Sequence, residues 1–156
     1  MEGQFTTQRV SLDAHNMLGL SVCTNNQLEA STAHAKIAPL WQRFFETSQH
    51  SEMLNSPMYG AYFDYVSDMD GDYSVMVGKV VPTKVSQTHF DALTLEAGCY
   101  RKFAAHGPMP QCVIDLWTQI WQYFSAADCT EKRRYLTDFE VYLSATEVEI
   151  YIGVWE

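Results

Sequence analysis

The chain of 156 residues repeats its own pattern after 75 to 76 residues, and this repeat limits the folds that it can adopt. Three pairs of positions match between the two halves: Leu40-Trp41 with Leu116-Trp117, Phe63-Asp64 with Phe139-Glu140, and Gly78 with Gly153. A period of this length is typical of one supersecondary unit that is used more than once. We therefore expect a single domain over residues 1–156, made of repeat 1 (about 1–82) and repeat 2 (about 83–156).

Repeat 1 is predicted to contain strands, then one helix, then two more strands. The periodicity of its apolar residues indicates strands at 5–12, 17–23, 59–67 and 73–81 and a helix at about 29–47. Pro39 lies inside the apolar stripe of this helix, so the helix either starts near Pro39 or kinks there. Asp70-Gly71 is typical of a tight hairpin turn between the last two strands.

Repeat 2 follows the same order. Residues 89–103 are predicted to be extended, and a loop at 107–110 precedes a helix that ends near residue 125. Two strands with period-two alternation close the chain, and a turn near Ala145 and Thr146 joins them. This turn predicts three pairs across the hairpin: Phe139 with Ile152, Val141 with Ile150, and Leu143 with Val148. It also places Glu140 opposite Tyr151 on the reverse face, since side chains alternate along a strand.

These elements predict an α+β fold. Two pseudosymmetric βαββ repeats would form one antiparallel sheet, with two main helices and a groove between the halves. Ligand sites tend to form at such junctions. We therefore expect any function of this chain to reside in the groove.

Composition excludes several classes of partner. The formal net charge of −9 disfavours nucleic acid, which needs a basic surface, and also disfavours anionic membranes. No apolar run approaches the length of a membrane span, and the N-terminus lacks the features of a signal peptide. The four cysteines and five histidines show no metal-ligand spacing. We predict a cytoplasmic protein with reduced thiols, no metal and no cofactor.

Glu140 is the candidate centre of a binding site. It lies among aromatic residues on the face of its strand that the predicted core does not use, together with Tyr142 and Tyr151. A carboxylate that is desolvated among rings attracts a cation, and ring faces add to that attraction. A neutral apolar ligand would instead leave the buried acid unpaired. The alternative is that Glu140 lies on a solvated face, as strand acids usually do.

The chain resembles the effector-binding domains of AraC-type bacterial transcription activators, also called GyrI-like domains. The resemblance covers nearly the whole chain, through these segments: 73–78, 98–100, Phe103, Gly107, 117–121, 138–142 and 149–154. It implies two βαββ units with a pocket between them. In multidrug-sensing members, aromatic side chains and a buried Glu at the position of Glu140 bind lipophilic cations. The resemblance also implies that Trp121 points towards the groove.

Other residues are candidates for the same groove, each with a structural alternative. They are Trp117, which the helix pattern assigns to the core, Tyr100 and Phe103, which suit sheet packing, and Tyr62 and Asp64, which lie on the matching strand of repeat 1. Asp64 would be a second acid in the groove. Many members carry a DNA-binding domain ahead of this one, but here the repeat begins almost at residue 1. The resemblance is therefore to stand-alone members, including integron cassette proteins that bind cationic drugs.

Three hypotheses for function follow. The first is a non-catalytic protein that binds a lipophilic cationic small molecule. The second is a hydrolase of reactive electrophiles, as some GyrI-like relatives are, in which Glu140 would act as general base and Tyr142 would orient the water. The third is an adaptor that docks on a protein partner. The sequence leaves the physiological ligand and the oligomeric state open.

Overall fold

Within the residues that the structure describes, the sheet has eight antiparallel strands in the order β1-β6-β8-β7-β3-β4-β2-β5. The computed structural model describes residues 5–31, 33–48, 57–67, 71–81 and 90–156. The strands are β1 (Phe5–Leu12), β2 (His15–Thr24), β3 (Met58–Phe63), β4 (Tyr73–Val81), β5 (Asp91–Leu95), β6 (Gly98–His106), β7 (Thr137–Ser144) and β8 (Glu147–Gly153). The helices among the described residues are α1 (Asn26–Glu29), α2 (Ile37–Ser48) and α3 (Gln111–Ser125). The predicted α+β class with one antiparallel sheet is confirmed.

The two halves of the sheet meet at the pair formed by β3 and β7. Each half contributes four strands, and Gly60 lies directly opposite Glu140 in the central pair. The outermost strands are exchanged: β1 pairs with β6 of the second half, and β5 pairs with β2 of the first. Each half is therefore completed by a strand from the other side of residue 82. The division of the chain into two sequence repeats near residue 82 stays a prediction.

The N-terminus of α2 explains how Pro39 fits into a helix. The helix begins at Ile37, so Pro39 lies in its first turn, where a missing N–H removes no helical hydrogen bond. Glu29, at the end of the short helix α1, accepts hydrogen bonds from the backbone N–H groups of Lys36 and Ile37. A carboxylate at this position satisfies free donors and interacts favourably with the helix dipole. The helix predicted at about 29–47 therefore starts later, at Ile37, and Glu29 belongs to the separate short helix α1.

Both longer helices cover the same face of the sheet. The α3 side of this face buries six side chains together: Phe103, Leu116, Ile120, Val148, Ile150 and Ile152. The α2 side buries Leu40, Phe44, Tyr73, Val75 and Val77. Among the described helices, none has the length and apolar character needed to cross a bilayer.

The opposite face of the sheet is also buried, although no described helix covers it. Its cluster contains Met17, Ala61, Met76, Leu95, Tyr100, Phe139 and Val141. Val10 and Leu12 from one edge strand and Leu93 from the other pack against this same cluster. Because side chains from both edges reach one cluster, the sheet curves around it. Both faces of the central strands are therefore buried.

The predicted register of the closing hairpin is wrong by one residue. Phe139 lies opposite Tyr151, and Glu140 lies opposite Ile150, with an irregularity between Tyr142 and Ser144. A one-residue shift moves a strand's side chains to the other face relative to its partner, and a bulge supplies such a shift. As a result, Tyr151 shares a face with Phe139 rather than with Glu140. The turn itself lies at residues 145 and 146, as predicted.

Candidate functional site

Glu140 lies on β7 in the centre of the sheet, beneath the two longer helices, and is 4% exposed. Three ring-bearing side chains donate hydrogen bonds to its carboxylate. Trp117 donates from Nε1 to Oε2 at 2.6 Å, and Tyr62 donates its hydroxyl to the same oxygen at 2.9 Å. Tyr142 donates to Oε1 at 2.8 Å. No lysine, arginine or histidine of the described residues forms an ion pair with this carboxylate.

The residue opposite Glu140 on β3 is glycine for a steric reason. A Cβ atom added to Gly60 would lie 2.9 Å from Oε1 of Glu140 and 3.3 Å from the ring of Trp41. The ring of Trp41 also meets Tyr142 edge to face, with 5.2 Å between the ring centroids. The absence of a side chain at position 60 thus allows the acid and the indole to approach the sheet closely.

Burial and hydrogen bonding act in opposite directions on this acid. Burial raises the pKa of Glu140 above its ordinary value, and the hydrogen bonds from Trp117, Tyr142 and Tyr62 lower it, with burial dominant. The pKa values of the Tyr62 and Tyr142 hydroxyls are raised, first by burial and then by the Glu140 charge, so both remain donors. The indole N–H can only donate. This group of donors suits the ionised carboxylate and gives it no neutralising charge.

A cavity of about 480 Å³ lies beside this acid. The helices and the loop before β7 contribute most of its lining: Asn26, Glu29, Ala30, Ile37, Ile114, Trp117, Thr118, Trp121 and Arg133. Strands β3 and β4 and the segment between them contribute Tyr62, Tyr65 and Tyr73. The volume is within the range of about 300–1,000 Å³ that is usual for small-molecule sites.

The carboxylate of Glu140 lies behind the wall of this cavity. Tyr62 and Trp117 line the cavity and also donate to Glu140, and their rings meet edge to face with centroids 5.3 Å apart. Glu140 and Tyr142 are not among the lining residues. A molecule in the cavity would therefore contact the rings directly. It would interact with the negative charge of Glu140 at a longer distance, with the rings in between.

Helix α3 presents one stripe of side chains to the cavity. Ile114, Trp117, Thr118 and Trp121 are spaced at i, i+3, i+4 and i+7, which places them on one side of a helix. Leu116 and Ile120, on the neighbouring stripe, are fully buried in the core. The cavity stripe is partly exposed, and Trp121 is 37% exposed near Trp117, with ring centroids 6.1 Å apart.

The three tyrosines of the cavity wall direct their hydroxyls at polar partners. Tyr62 donates to Glu140, Tyr65 donates to Asp138 at 2.5 Å, and Tyr73 donates to Asn26 at 2.7 Å. Because the hydroxyls are engaged in these hydrogen bonds, the tyrosines present their aromatic rings to the cavity.

A second buried carboxylate, Asp138, lies two residues before Glu140 and is 0% exposed. It accepts hydrogen bonds from Tyr65, from the backbone N–H of Gly153 at 2.8 Å and from Nη2 of Arg133 at 2.7 Å. The Arg133 guanidinium stacks over the ring of Tyr135, 4.4 Å from its centroid. Asp138 is therefore balanced by a cation, whereas Glu140 has no such partner in the described part of the chain.

The structure brings five of the candidate residues together and places four elsewhere. Glu140, Tyr142, Tyr62, Trp117 and Trp121 lie at or directly behind the cavity wall. The candidates that do not border the cavity are Tyr100, Phe103, Tyr151 and Asp64.

Each of these four has a different placement. Tyr100 is fully buried on the opposite face of the sheet and donates to the carbonyl of Glu96. Tyr151 lies on that face too, because of the register shift, and stacks on Phe139 with centroids 4.8 Å apart. Phe103 belongs to the core beneath α3. Asp64 follows the end of β3, where it is exposed with a positive φ of 50°.

The comparisons with known proteins agree with this architecture. The sequence profile of integron-associated effector binding proteins matches residues 10–154. The chain belongs to this family. An integron cassette protein from the mobile metagenome of Vibrio cholerae is 34% identical, with a TM-score of 0.87, over 99% of this chain and 97% of that one. The expected likeness to integron cassette proteins of the effector-binding type is confirmed.

More distant structures share the fold of this integron-associated effector binding protein. SAV2435, solved with bound tetraphenylphosphonium, is 20% identical with a TM-score of 0.75, over 96% of this chain and 94% of that one. A putative transcription regulation protein of Staphylococcus aureus is 18% identical with a TM-score of 0.71, over 99% of both chains. At these identities the likeness is one of fold. No curated protein matches the sequence.

Several lining residues of this effector binding protein were missed by the sequence reasoning. They are Asn26, Glu29, Ala30, Ile37, Tyr65, Tyr73, Ile114, Thr118 and Arg133. The helical spacing from Trp117 and Trp121 could have identified Ile114 and Thr118. Glu29 ends the short helix α1 and Arg133 lies in the loop before β7; both positions depend on the tertiary fold, and no local pattern marks them. Of the lining residues, Glu29 is the acid that reaches the cavity, in place of the expected Asp64.

Proposed function

We propose that this protein binds lipophilic cationic small molecules in the cavity beside Glu140, without carrying out chemistry on them. Membership of an effector-binding family supports small-molecule binding as the general function. The observation that carries the finer proposal is a buried carboxylate that has no cationic partner among the described residues and is held by rings that also form the cavity wall.

The charge of Glu140 gives a cation a large advantage over a neutral molecule of the same shape. A cation that rests on the ring of Tyr62 or Trp117 would lie about 6 Å from the carboxylate, which corresponds to ~3 kcal/mol at an effective dielectric constant of about 20. Each ring face adds about 0.5–2 kcal/mol through its quadrupole. These terms favour a positive ligand before any apolar contact is counted.

The remaining charges at the cavity do not cancel this preference. Arg133 is paired with the buried Asp138 at 2.7 Å. Glu29 adds a second carboxylate, whose hydrogen bonds come from Thr24 and from two backbone N–H groups. With Glu140 and Glu29 negative and the Arg133–Asp138 pair neutral, the surroundings of the cavity carry a net negative charge.

The apolar part of the cavity favours a large aromatic ligand. Five aromatic side chains line it together with Ile37, Ile114 and Ala30. Burial of apolar surface contributes about 25 cal/mol per Å², so 200 Å² of ligand surface would give ~5 kcal/mol before the costs of association. A small hydrated cation would gain little of this term, whereas a lipophilic cation would gain both terms.

The proposal is tested with two ligands of the same shape and opposite charge. Tetraphenylphosphonium is expected to quench or shift the tryptophan fluorescence of the protein at low concentration, and tetraphenylborate is expected to bind at least about 100-fold more weakly. Glu140→Gln should weaken tetraphenylphosphonium binding by on the order of 100-fold, which corresponds to the ~3 kcal/mol above.

Glu149→Gln is the matched control, because Glu149 lies on the neighbouring strand but is paired with Lys102. This control should bind tetraphenylphosphonium as the natural protein does. Equal affinity for the two ligands, or an unchanged affinity after Glu140→Gln, would refute the proposal. The hydrolase and adaptor hypotheses stay predictions. Chromatography of the ligand after long incubation detects a product if the protein is a hydrolase.

A further inference from the structure

Arg133 brings unused hydrogen-bond donors to the wall of the cavity. Its side chain is 7% exposed, and Nη2 donates to Asp138. Among the residues that the structure describes, Asp138 is the only acceptor that its N–H groups meet, and the buried Nε has none. A guanidinium carries five N–H donors in a fixed plane, so most of the donors of Arg133 are unused.

Unused donors at a nearly buried site favour a ligand that can accept a hydrogen bond. An unpaired donor in such a site costs up to about 1–3 kcal/mol, and an acceptor that reaches Nη1, which is not among the fully buried atoms, recovers part of this cost. The Arg133 side chain is also held in place, because it pairs with Asp138 on one side and stacks on Tyr135. A fixed donor loses little conformational freedom on binding.

The charge around Arg133 favours a neutral acceptor over a carboxylate. Asp138 already balances the guanidinium, and Glu29 and Glu140 add negative charge at and behind the same cavity wall. A carboxylate on the ligand would be repelled by these acids. A ketone, amide or ester carbonyl accepts the same hydrogen bond without adding charge.

The spacing between the two polar sites follows from the strand. Asp138 and Glu140 are two residues apart on β7 and point to the same face, so their Cα atoms are separated by about 7 Å. Arg133 binds the first carboxylate, and the rings of Tyr62 and Trp117 bind the second. A ligand that lies along this strand would meet the aromatic cation site and the Arg133 donors at a separation on the order of this repeat, roughly 5–7 Å.

We infer that the cavity selects lipophilic cations that also carry a neutral carbonyl group, which accepts a hydrogen bond from Arg133. This inference rests on the proposed binding of cations and specifies which cations bind best. The carbonyl is expected roughly 5–7 Å from the positive centre, a distance of the order of the strand repeat.

Three phosphonium ions of matched length test the inference by calorimetric titration. Pentyltriphenylphosphonium carries no acceptor, (4-oxopentyl)triphenylphosphonium carries a ketone, and (3-carboxypropyl)triphenylphosphonium carries a carboxylate. The ketone is expected to bind about tenfold more tightly than the pentyl ion, as one hydrogen bond to a charged donor would give. The carboxylate should bind more weakly than the ketone. Apolar burial alone predicts the opposite order for the first two ions, since a ketone is less apolar than a methylene group.

Arg133→Lys assigns the effect to this side chain. Lysine keeps the positive charge for Asp138 but lacks the planar group of donors. The ratio of the pentyl and ketone Kd values should fall from about ten to about one. Arg134→Lys is the control, because Arg134 lies over the ring of Tyr100, which belongs to the opposite face of the sheet, and should leave the ratio unchanged.

The outcomes separate this inference from the proposed function. If the pentyl ion binds and the ketone binds no better, the inference is wrong and the cation site stands. If neither ion binds, the proposed function itself fails. A tenfold ratio that persists in Arg133→Lys would also overturn the inference. If this variant does not fold, the side-chain resonances of ¹⁵N-labelled arginine in the natural protein decide: the ketone must shift those of Arg133, and the pentyl ion must not.

Discussion

Gly60 and Glu140 face each other across the central strand pair, at the point where the two halves of the sheet meet. The glycine leaves space that the carboxylate of Glu140 and the indole of Trp41 both occupy. Glu140 is thereby enclosed on the helix-covered face, with Tyr62, Trp117 and Tyr142 as its donors. The position of the acid thus depends on the absence of a side chain on the neighbouring strand.

Gly60→Ala is therefore expected to destabilise the protein and to weaken cation binding together. The new methyl group would lie 2.9 Å from Oε1 of Glu140, closer than atoms can pack, and overpacking costs about 1–3 kcal/mol. Urea unfolding measures the first effect and titration with tetraphenylphosphonium measures the second. A variant with natural stability and natural affinity would show that the close approach has no role.

Several of the strands and helix α3 could be predicted from the sequence because their signals are local. Alternation located β1 and the closing hairpin, and the apolar stripe located α3. The register of the hairpin could not be predicted, because the irregularity between Tyr142 and Ser144 adds a residue that no alternation marks. Tyr151 was assigned to the wrong face for this reason alone.

Only some residues of the candidate site could be predicted, namely those that a strand or helix pattern in the sequence relates to Glu140. Tyr62 follows from the repeat, and Trp117 from its aromatic position on α3. Arg133 comes from the loop before β7 and Glu29 from the short helix α1, and their distance from the cavity is set by how the whole chain folds. Trp41 matches Trp117 in the repeat and contacts Tyr142, yet the sequence reasoning did not transfer that match to the site.

Cation binding should depend on pH through Glu140. The ligand is attracted to the ionised acid, and burial raises the pKa of Glu140 above its ordinary value. Affinity should therefore be constant at high pH and fall about tenfold per pH unit below the pKa of the free protein. Titrations with tetraphenylphosphonium from neutral to acidic pH measure this profile. In Glu140→Gln the remaining affinity should not follow the same curve, and a natural profile in that variant would assign the titration to another group.

Trp117→Phe should move that profile to higher pH. The substitution keeps an aromatic ring but removes the N–H that donates to Oε2 of Glu140 at 2.6 Å. This hydrogen bond lowers the pKa of Glu140, so its loss raises that pKa further. Affinity should then begin to fall at a less acidic pH, which calorimetry can follow without the lost fluorophore. Trp155→Phe, at an exposed position, is the control and should leave the midpoint unchanged. A lower midpoint in Trp117→Phe would contradict the assigned role of the indole.

Glu131 should stabilise the folded protein at neutral pH. Its pKa is lowered in the folded state, whereas that of Glu140 is raised. Glu131 accepts hydrogen bonds from Arg101, Tyr123 and Arg9, which join the loop before β7 to β6, α3 and the edge strand β1. These partners lower the pKa of Glu131 to about 2, and the hydrogen bond from Arg101 has the largest effect. Burial alone would raise this pKa.

Because the pKa of Glu131 is lower in the folded state, its contribution is fully present above the ordinary glutamate value of 4.5 and is lost as the pH falls from there to about 2. Glu131→Gln should therefore reduce the free energy of unfolding at pH 7 by on the order of 2–3 kcal/mol and reduce it much less near pH 2. Urea unfolding at both pH values measures the difference. Glu147→Gln, at an exposed position whose carboxylate accepts a bond from Ser144, is the control and should change stability by less than about 0.5 kcal/mol at either pH. An equal loss at both pH values in Glu131→Gln would attribute the effect to packing rather than to the charge.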